Sequence, residues 1–125
     1  MVQVNDLAPN FSLPTDNGGQ FQLSDHRGER LLLVFYPGDD TTICTAQLCE
    51  YRDGIDVFSE LGVRLIGISP DSLESHRQFR KKYEFPFELL SDEELEVARR
   101  WGCKGPLGLT RAGFLVDEEG YVRSA

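Results

Sequence analysis

"LLLVFYPGDDTTICTAQLCEYRD", Leu31 to Asp53, changes character a third of the way along. Its opening, Leu31 to Pro37, is an unbroken apolar run closed by a proline, the pattern of a strand buried on both faces. The remainder has a helical period. With helix from about Thr41 to Leu61, Cys44, Leu48, Tyr51, Ile55 and Phe58 recur at spacings of four, three, four and three, which makes one apolar face. Asp53, Asp56 and Glu60 fall on the other side, Cys49 joins them there, and Gly62 supplies the stop. A second buried run, "VRLIGIS" (Val63–Ser69), comes next, so the unit is strand, crossover helix, strand, with the crossover right-handed.

Working outward, "SPDSLESHRQF" opens a second helix. Asp71 followed three residues later by Glu74 has the form of a capping box, and Pro86 sets the far limit. "SDEELEVARRWG" opens a third: Ser91 and Glu94 repeat the capping spacing, acids fill the first turn, Arg99 and Arg100 the last, and Gly102 follows. "AGFLVDEEGYV" reads as a hairpin turning at Gly120, and "FSLPTDNGGQFQL" as an N-terminal hairpin turning at Asn17 to Gly19. Buried strands alternating with amphipathic helices and ending in an antiparallel pair predict an α/β sandwich on a mixed sheet.

At 125 residues and 40% hydrophobic content the chain can bury one sizeable core, so residues 1–125 are expected to be a single domain. The net charge of −8 argues against nucleic acid and anionic membrane as partners. No apolar stretch has the length of a membrane span, and Met1 to Asp6 lacks the features of a secretory signal, so a cytoplasmic location is expected. Three cysteines is an odd number, and a core of this size needs no disulfide framework.

Cys44 lies in the first turn of the predicted helix, where free backbone N–H groups and the helix dipole favour a thiolate. Its place on the apolar stripe works against the charged form, so a reactive site there also needs a cation. A small core residue is the competing reading. Five residues of ideal helix rise roughly 7.5 Å and turn roughly 140°, which sets the Cα atoms of Cys44 and Cys49 roughly 8 to 9 Å apart. A disulfide spans about 4.4 to 6.8 Å, so any bond between these two requires the helix to unwind locally. Zinc lacks enough nearby soft ligands, a plant-type iron–sulfur site lacks a third cysteine close after the second, and four residues intervene where a Cys-x-x-Cys dithiol has two.

The segment "FYPGDDTTICTAQLCEYRD" resembles the active-site segment of peroxiredoxins, in particular the peroxiredoxin Q (bacterioferritin comigratory protein) group. The group's Pro-x-x-x-Thr-x-x-Cys motif is matched by Pro37, Thr41 and Cys44, and the likeness extends from "LAPNFSL" through "GISPDSLESHRQF" to "RAGFLVDEEG". Thr42 and Ile43 stand where the group often has Pro-Gly. The resemblance implies a thioredoxin fold with an extra N-terminal hairpin, and a further C-terminal helix for which nothing remains after Ala125. It implies that Cys44 attacks a hydroperoxide and becomes a sulfenic acid, that Cys49 resolves it as an intramolecular disulfide, and that thioredoxin or a similar dithiol restores both thiols. It makes Thr41 a hydrogen-bond mediator, Pro37 a shield from water, and Arg111 the cation that stabilises the thiolate and orients the peroxide. No metal or organic cofactor is implied, and a monomer is expected. Two rivals stand beside this reading: a non-catalytic thioredoxin-like interaction domain, and a general dithiol–disulfide oxidoreductase.

Other residues read more plainly. Cys103 is expected to be a buried or idle thiol, His76 a partly buried packing histidine, His26 a loop residue, and Trp101 core or rim. "RQFRKK" is expected to be a solvated helix face. Gln47, about one turn after Cys44, is a candidate for positioning the site's arginine or a water.

Overall fold

The structure, a computed structural model, describes residues 2–125. Its centre is a five-stranded mixed sheet in the order β5-β4-β3-β8-β9. The strands are β3 (Arg30–Phe35), β4 (Val63–Ser69), β5 (Glu88–Ser91), β8 (Ala112–Val116) and β9 (Val122–Ser124). β3, β4 and β5 run parallel; β8 is antiparallel to β3, and β9 to β8. The N-terminal hairpin is β1 (Ser12–Pro14) with β2 (Gln20–Gln22), as its turn residues predict. A small hairpin, β6 (Lys104–Gly105) with β7 (Gly108–Leu109), precedes β8.

Period-two alternation sorts the core into two layers. Leu31, Leu33 and Phe35 of β3 point into one, with Trp101, Phe114 and Ile68. Val34 and Tyr36 point into the other, with Leu48, Phe79 and Cys44. Trp101 is fully buried, which settles it as core. Gly67 of β4 lets the second layer close, because a Cβ there would lie 2.7 Å from Leu89 Cδ2 and 3.2 Å from Tyr36 Cε1. Gly67→Ala is therefore expected to cost about 1–3 kcal/mol through overpacking, read as a lower urea midpoint at unchanged slope.

The helices depart from the periodicity. The predicted Thr41–Leu61 helix is two helices, α1 (Thr42–Asp53) and α2 (Ile55–Glu60). They break at Gly54, whose backbone (φ −98°, ψ 12°) leaves the helical basin. Glycine loses more backbone freedom than any other residue when held in a helix interior, and the apolar stripe survives the break because α2 packs on the same layer. α3 (Leu73–Tyr83) starts one residue later than the Asp71 capping box predicts: Ser72 is the N-cap, its Oγ accepting from Ser75 N at 3.2 Å. Asp71 is drawn inward instead, its Oδ2 accepting from Ser69 Oγ and Asp39 N. The third helix is only α4 (Glu96–Arg100), since Ser91 belongs to β5 and the carboxylate of Asp92 accepts from Val97 N and Ala98 N.

Candidate active site

Cys44 is the third residue of α1 and is 1% exposed, so it sits in the first turn, whose backbone N–H groups lack intrahelical partners, and packs within the second core layer. Arg111 immediately precedes β8, whose Ala112 pairs with Phe35 at the end of β3. That register carries Arg111 alongside the loop leading into α1, and its Nη2 donates to Cys44 Sγ at 2.9 Å. A guanidinium at this distance favours negative charge on sulfur and supplies fixed donors for an oxyanion or peroxide beside it. Arg111 is otherwise exposed, so the charge carries only part of the cost of burial.

Thr41 occupies the N-cap position by its backbone, the carbonyl accepting from Thr45 N at 2.8 Å, while its hydroxyl donates to the Gly38 carbonyl at 3.4 Å. Pro37 and Thr41 are both exposed on the loop that rims the sulfur. Gln47 is half-buried, and its Oε1, like Thr45 Oγ1, has no partner among the described residues. A cleft of about 590 Å³ beside Arg64, Arg80 and Phe87 contains none of these groups, so volume is no guide here: a peroxide needs to reach only one sulfur.

Two placements differ from expectation. Cys49 is not on a solvated face; it is half-buried and packs on the second core layer. The end of α3 folds over that side of α1, where Arg52 Nη1 donates to the Tyr83 carbonyl at 2.8 Å, so α1 buries a wider arc than its apolar stripe. His76 is fully buried rather than partly so, and it is bonded rather than merely packed: Nδ1 lies 2.7 Å from Asp39 Oδ2 and Nε2 2.9 Å from the Leu90 carbonyl. The "RQFRKK" face is solvated as expected, with Arg77, Gln78, Lys81 and Lys82 exposed, and two of its cations are paired, Arg80 with the Asp16 carboxylate and Lys82 with that of Asp40.

These contacts reveal two residues that sequence reasoning passed over, Asp39 and Asp40, which moor the loop between Pro37 and Thr41. Asp39 turns inward and accepts from Tyr36 Oη at 2.6 Å and Ser75 Oγ at 2.8 Å, with its Oδ2 also against His76 Nδ1. Burial, reinforced by Asp39, pushes the Tyr36 phenol far above its ordinary range, so it remains a donor. Asp40 turns outward in a left-handed conformation (φ 56°) and accepts from Lys82 Nζ at 2.7 Å and Tyr83 Oη at 2.6 Å. Those bonds, Lys82 first, hold its carboxyl below the usual range. No spacing rule links positions thirty-seven residues apart, such as Asp39 and His76; the one available signal was a pair of acids just beyond a buried strand.

Cys103, 1% exposed behind Gly102, is pushed up by burial to about 11. A thiol so placed is almost wholly protonated and inaccessible at pH 8. Iodoacetamide on the native chain at that pH is expected to leave Cys103 unlabelled while Cys49 reacts, as peptide mass mapping would report; prompt labelling of Cys103 would reverse the assignment.

Comparison with known proteins agrees with the arrangement. The AhpC/TSA family profile matches residues 4–125. The chain is 41% identical to a Bcp-type peroxiredoxin of Coxiella burnetii, over 97% of this chain and 85% of that protein. It is 38% identical to peroxiredoxin Bcp of Bacillus subtilis, over 97% and 82% respectively. Among solved structures, peroxidoxin BcpB of Mycobacterium tuberculosis superposes with a TM-score of 0.91 at 31% identity, covering 98% of this chain and 83% of that one. Peroxiredoxin Q of Xanthomonas campestris superposes with a TM-score of 0.87 at 30% identity, covering 91% and 77%. With a thioredoxin fold, a cysteine at a helix N-terminus and an arginine against its sulfur, the chain belongs to the AhpC/TSA family, as a peroxiredoxin, a thiol-dependent peroxidase.

Proposed function

We propose that the chain reduces hydrogen peroxide and small organic hydroperoxides by a two-cysteine cycle within one molecule. The observation that carries this reading is the 2.9 Å contact from Arg111 Nη2 to Cys44 Sγ at the start of α1. The Cys44 thiolate attacks one peroxide oxygen; the O–O bond breaks, sulfur is oxidised to Cys44–SOH, and the departing oxygen takes a proton and leaves as water or an alcohol. Arg111 orients the peroxide and Thr41 offers a hydroxyl at the rim, with Pro37 limiting water. Cys49 then attacks the sulfenic sulfur, water leaves, and a Cys44–Cys49 disulfide forms.

All three cysteines are free and α1 is wound through both positions 44 and 49, so the bridge needs its first turns to melt. The spacing supports this division of labour: one thiol faces the loop that admits peroxide, the other lies a turn and more away. A dithiol, thioredoxin or a relative of it, returns both thiols by exchange through a mixed disulfide. We place the cycle in the cytoplasm, where such reductants keep thiols reduced, and expect a monomer to suffice because both cysteines lie on one helix. No helix among the described residues is long and apolar enough to cross a membrane.

The test uses the unaltered chain. One equivalent of peroxide is expected to remove two hydrogens and join the peptides carrying Cys44 and Cys49, seen by mass spectrometry, and dithiothreitol is expected to support continued peroxide consumption. A bridge from Cys44 to Cys103 instead would overturn the role of Cys49. Reduction of insulin disulfides without any peroxide consumption would favour a general oxidoreductase.

A further inference from the structure

His76 lies wholly inside the protein, and no step of the peroxide chemistry uses it. Its two ring nitrogens both face oxygen, Asp39 Oδ2 at 2.7 Å and the Leu90 carbonyl at 2.9 Å. A carbonyl can only accept, so Nε2 carries a hydrogen. One further proton lies between Nδ1 and Oδ2. Asp39 also receives Tyr36 Oη on Oδ1 and Ser75 Oγ on Oδ2, so this one carboxyl ties the loop both to the end of β3 and to α3.

From just beyond β3 the group facing the pair is the Tyr36 hydroxyl, from α3 the Ser75 hydroxyl, and from β5 the Leu90 carbonyl. The Asp71 carboxylate, beyond β4, accepts from the backbone N–H of Asp39 at 2.8 Å. No Lys or Arg side chain is bonded to Asp39 among the described residues, so Tyr36, Ser75 and His76 are its side-chain anchors.

We propose that His76 is a positioning residue of the peroxidase site: through its buried contact with Asp39, it locks the Pro37–Thr41 loop onto α3 and so sets the pose of Thr41 and of the turn that carries Cys44. This rests on the peroxidase reading above. Asp39 lies two residues after Pro37 and two before Thr41, whose hydroxyl bonds within the same loop. Its neighbour Asp40 is held in a left-handed conformation uncommon for residues with a side chain, so the loop needs its anchors to keep this shape. A slack loop harms the two chemical steps in opposite directions: peroxide attack needs the loop set, whereas the Cys44–Cys49 bridge needs the first turn of α1 released.

Two measurements test this. In the reduced native chain, proton NMR is expected to show the hydrogen held between His76 Nδ1 and Asp39 Oδ2 as a downfield resonance slow to exchange with water; its absence overturns the anchoring contact whatever the enzyme does. In His76→Asn and Asp39→Asn, stopped-flow oxidation of Cys44 is expected to slow between about 10- and 100-fold, with disulfide formation unchanged or faster. The double variant is expected to slow no further than the worse single one, since the residues act as a unit. Folded variants in which both steps stay within about twofold of the native rates, or both slow alike, would overturn the positioning role. If neither variant folds, the bridging hydrogen decides. A native chain that consumes no peroxide, yet shows that hydrogen, would refute the peroxidase reading and leave the His76–Asp39 contact standing.

Discussion

Cys44→Ser is expected to lose peroxide reduction altogether, by roughly four orders of magnitude or more in turnover with dithiothreitol as reductant. The size of the effect comes from the two roles of the sulfur. In the proposed cycle it is both the nucleophile and the atom that is oxidised, and a serine oxygen can neither be raised to a sulfenic state nor receive the attack of Cys49. Binding and orientation by Arg111 and the loop remain, but they act on a reaction that no longer has an electron donor. The variant is expected to fold: Cys44 is one of nine buried residues in its layer, and a buried hydroxyl costs about 1–3 kcal/mol if it finds no partner. Circular dichroism should therefore match the native chain while peroxide loss falls to the background of dithiothreitol alone. Residual consumption above about one part in a hundred, in a folded preparation, would show that another thiol attacks peroxide and would remove Cys44 from the centre of the mechanism.

The parts of the fold that were legible in the sequence are those that a local pattern dictates. β4 runs over Val63–Ser69 as its apolar run predicts, and both hairpins turn where Gly18 (φ 96°) and Gly120 (φ 90°) supply a left-handed residue. The stripe from Cys44 to Phe58 is buried or half-buried along its whole length. Illegible features depended on partners distant in sequence. Whether Asp71 or Ser72 caps α3 was decided by Ser69 and by the backbone of Asp39, which draw Asp71 inward. The side of α1 that carries Cys49 was decided by Tyr83, thirty-one residues beyond Arg52. The site divides in the same way. Cys44 could be placed at a helix start from spacing alone, and its need for a cation followed from burial. Which cation could not be read locally, because Arg111 reaches the sulfur through the β3–β8 register, sixty-seven residues away; it was named through family resemblance.

Arg111→Gln carries the second large expectation, a loss of about 10²- to 10³-fold in the second-order rate of Cys44 oxidation by hydrogen peroxide, with thermal stability nearly unchanged. The stability half follows from exposure: Arg111 is largely solvated, and its contact to Cys44 Sγ is the one side-chain bond it makes among the described residues. The kinetic half follows from charge. In the attack, negative charge moves from sulfur through the transferred oxygen to the departing one, and a fixed guanidinium stabilises every stage while costing no reorganisation. Glutamine retains some reach and two amide hydrogens but no charge. Lysine retains the charge as a point and lacks the planar fork, so Arg111→Lys is expected to fall between, recovering roughly tenfold over glutamine. That order separates a catalytic contact from a packing one: lysine and glutamine should perturb packing about equally, so equal rates in the two variants would mean the charge is idle. A drop of less than about threefold in Arg111→Gln would go further and show that the N-terminus of α1 alone sustains the reactive sulfur.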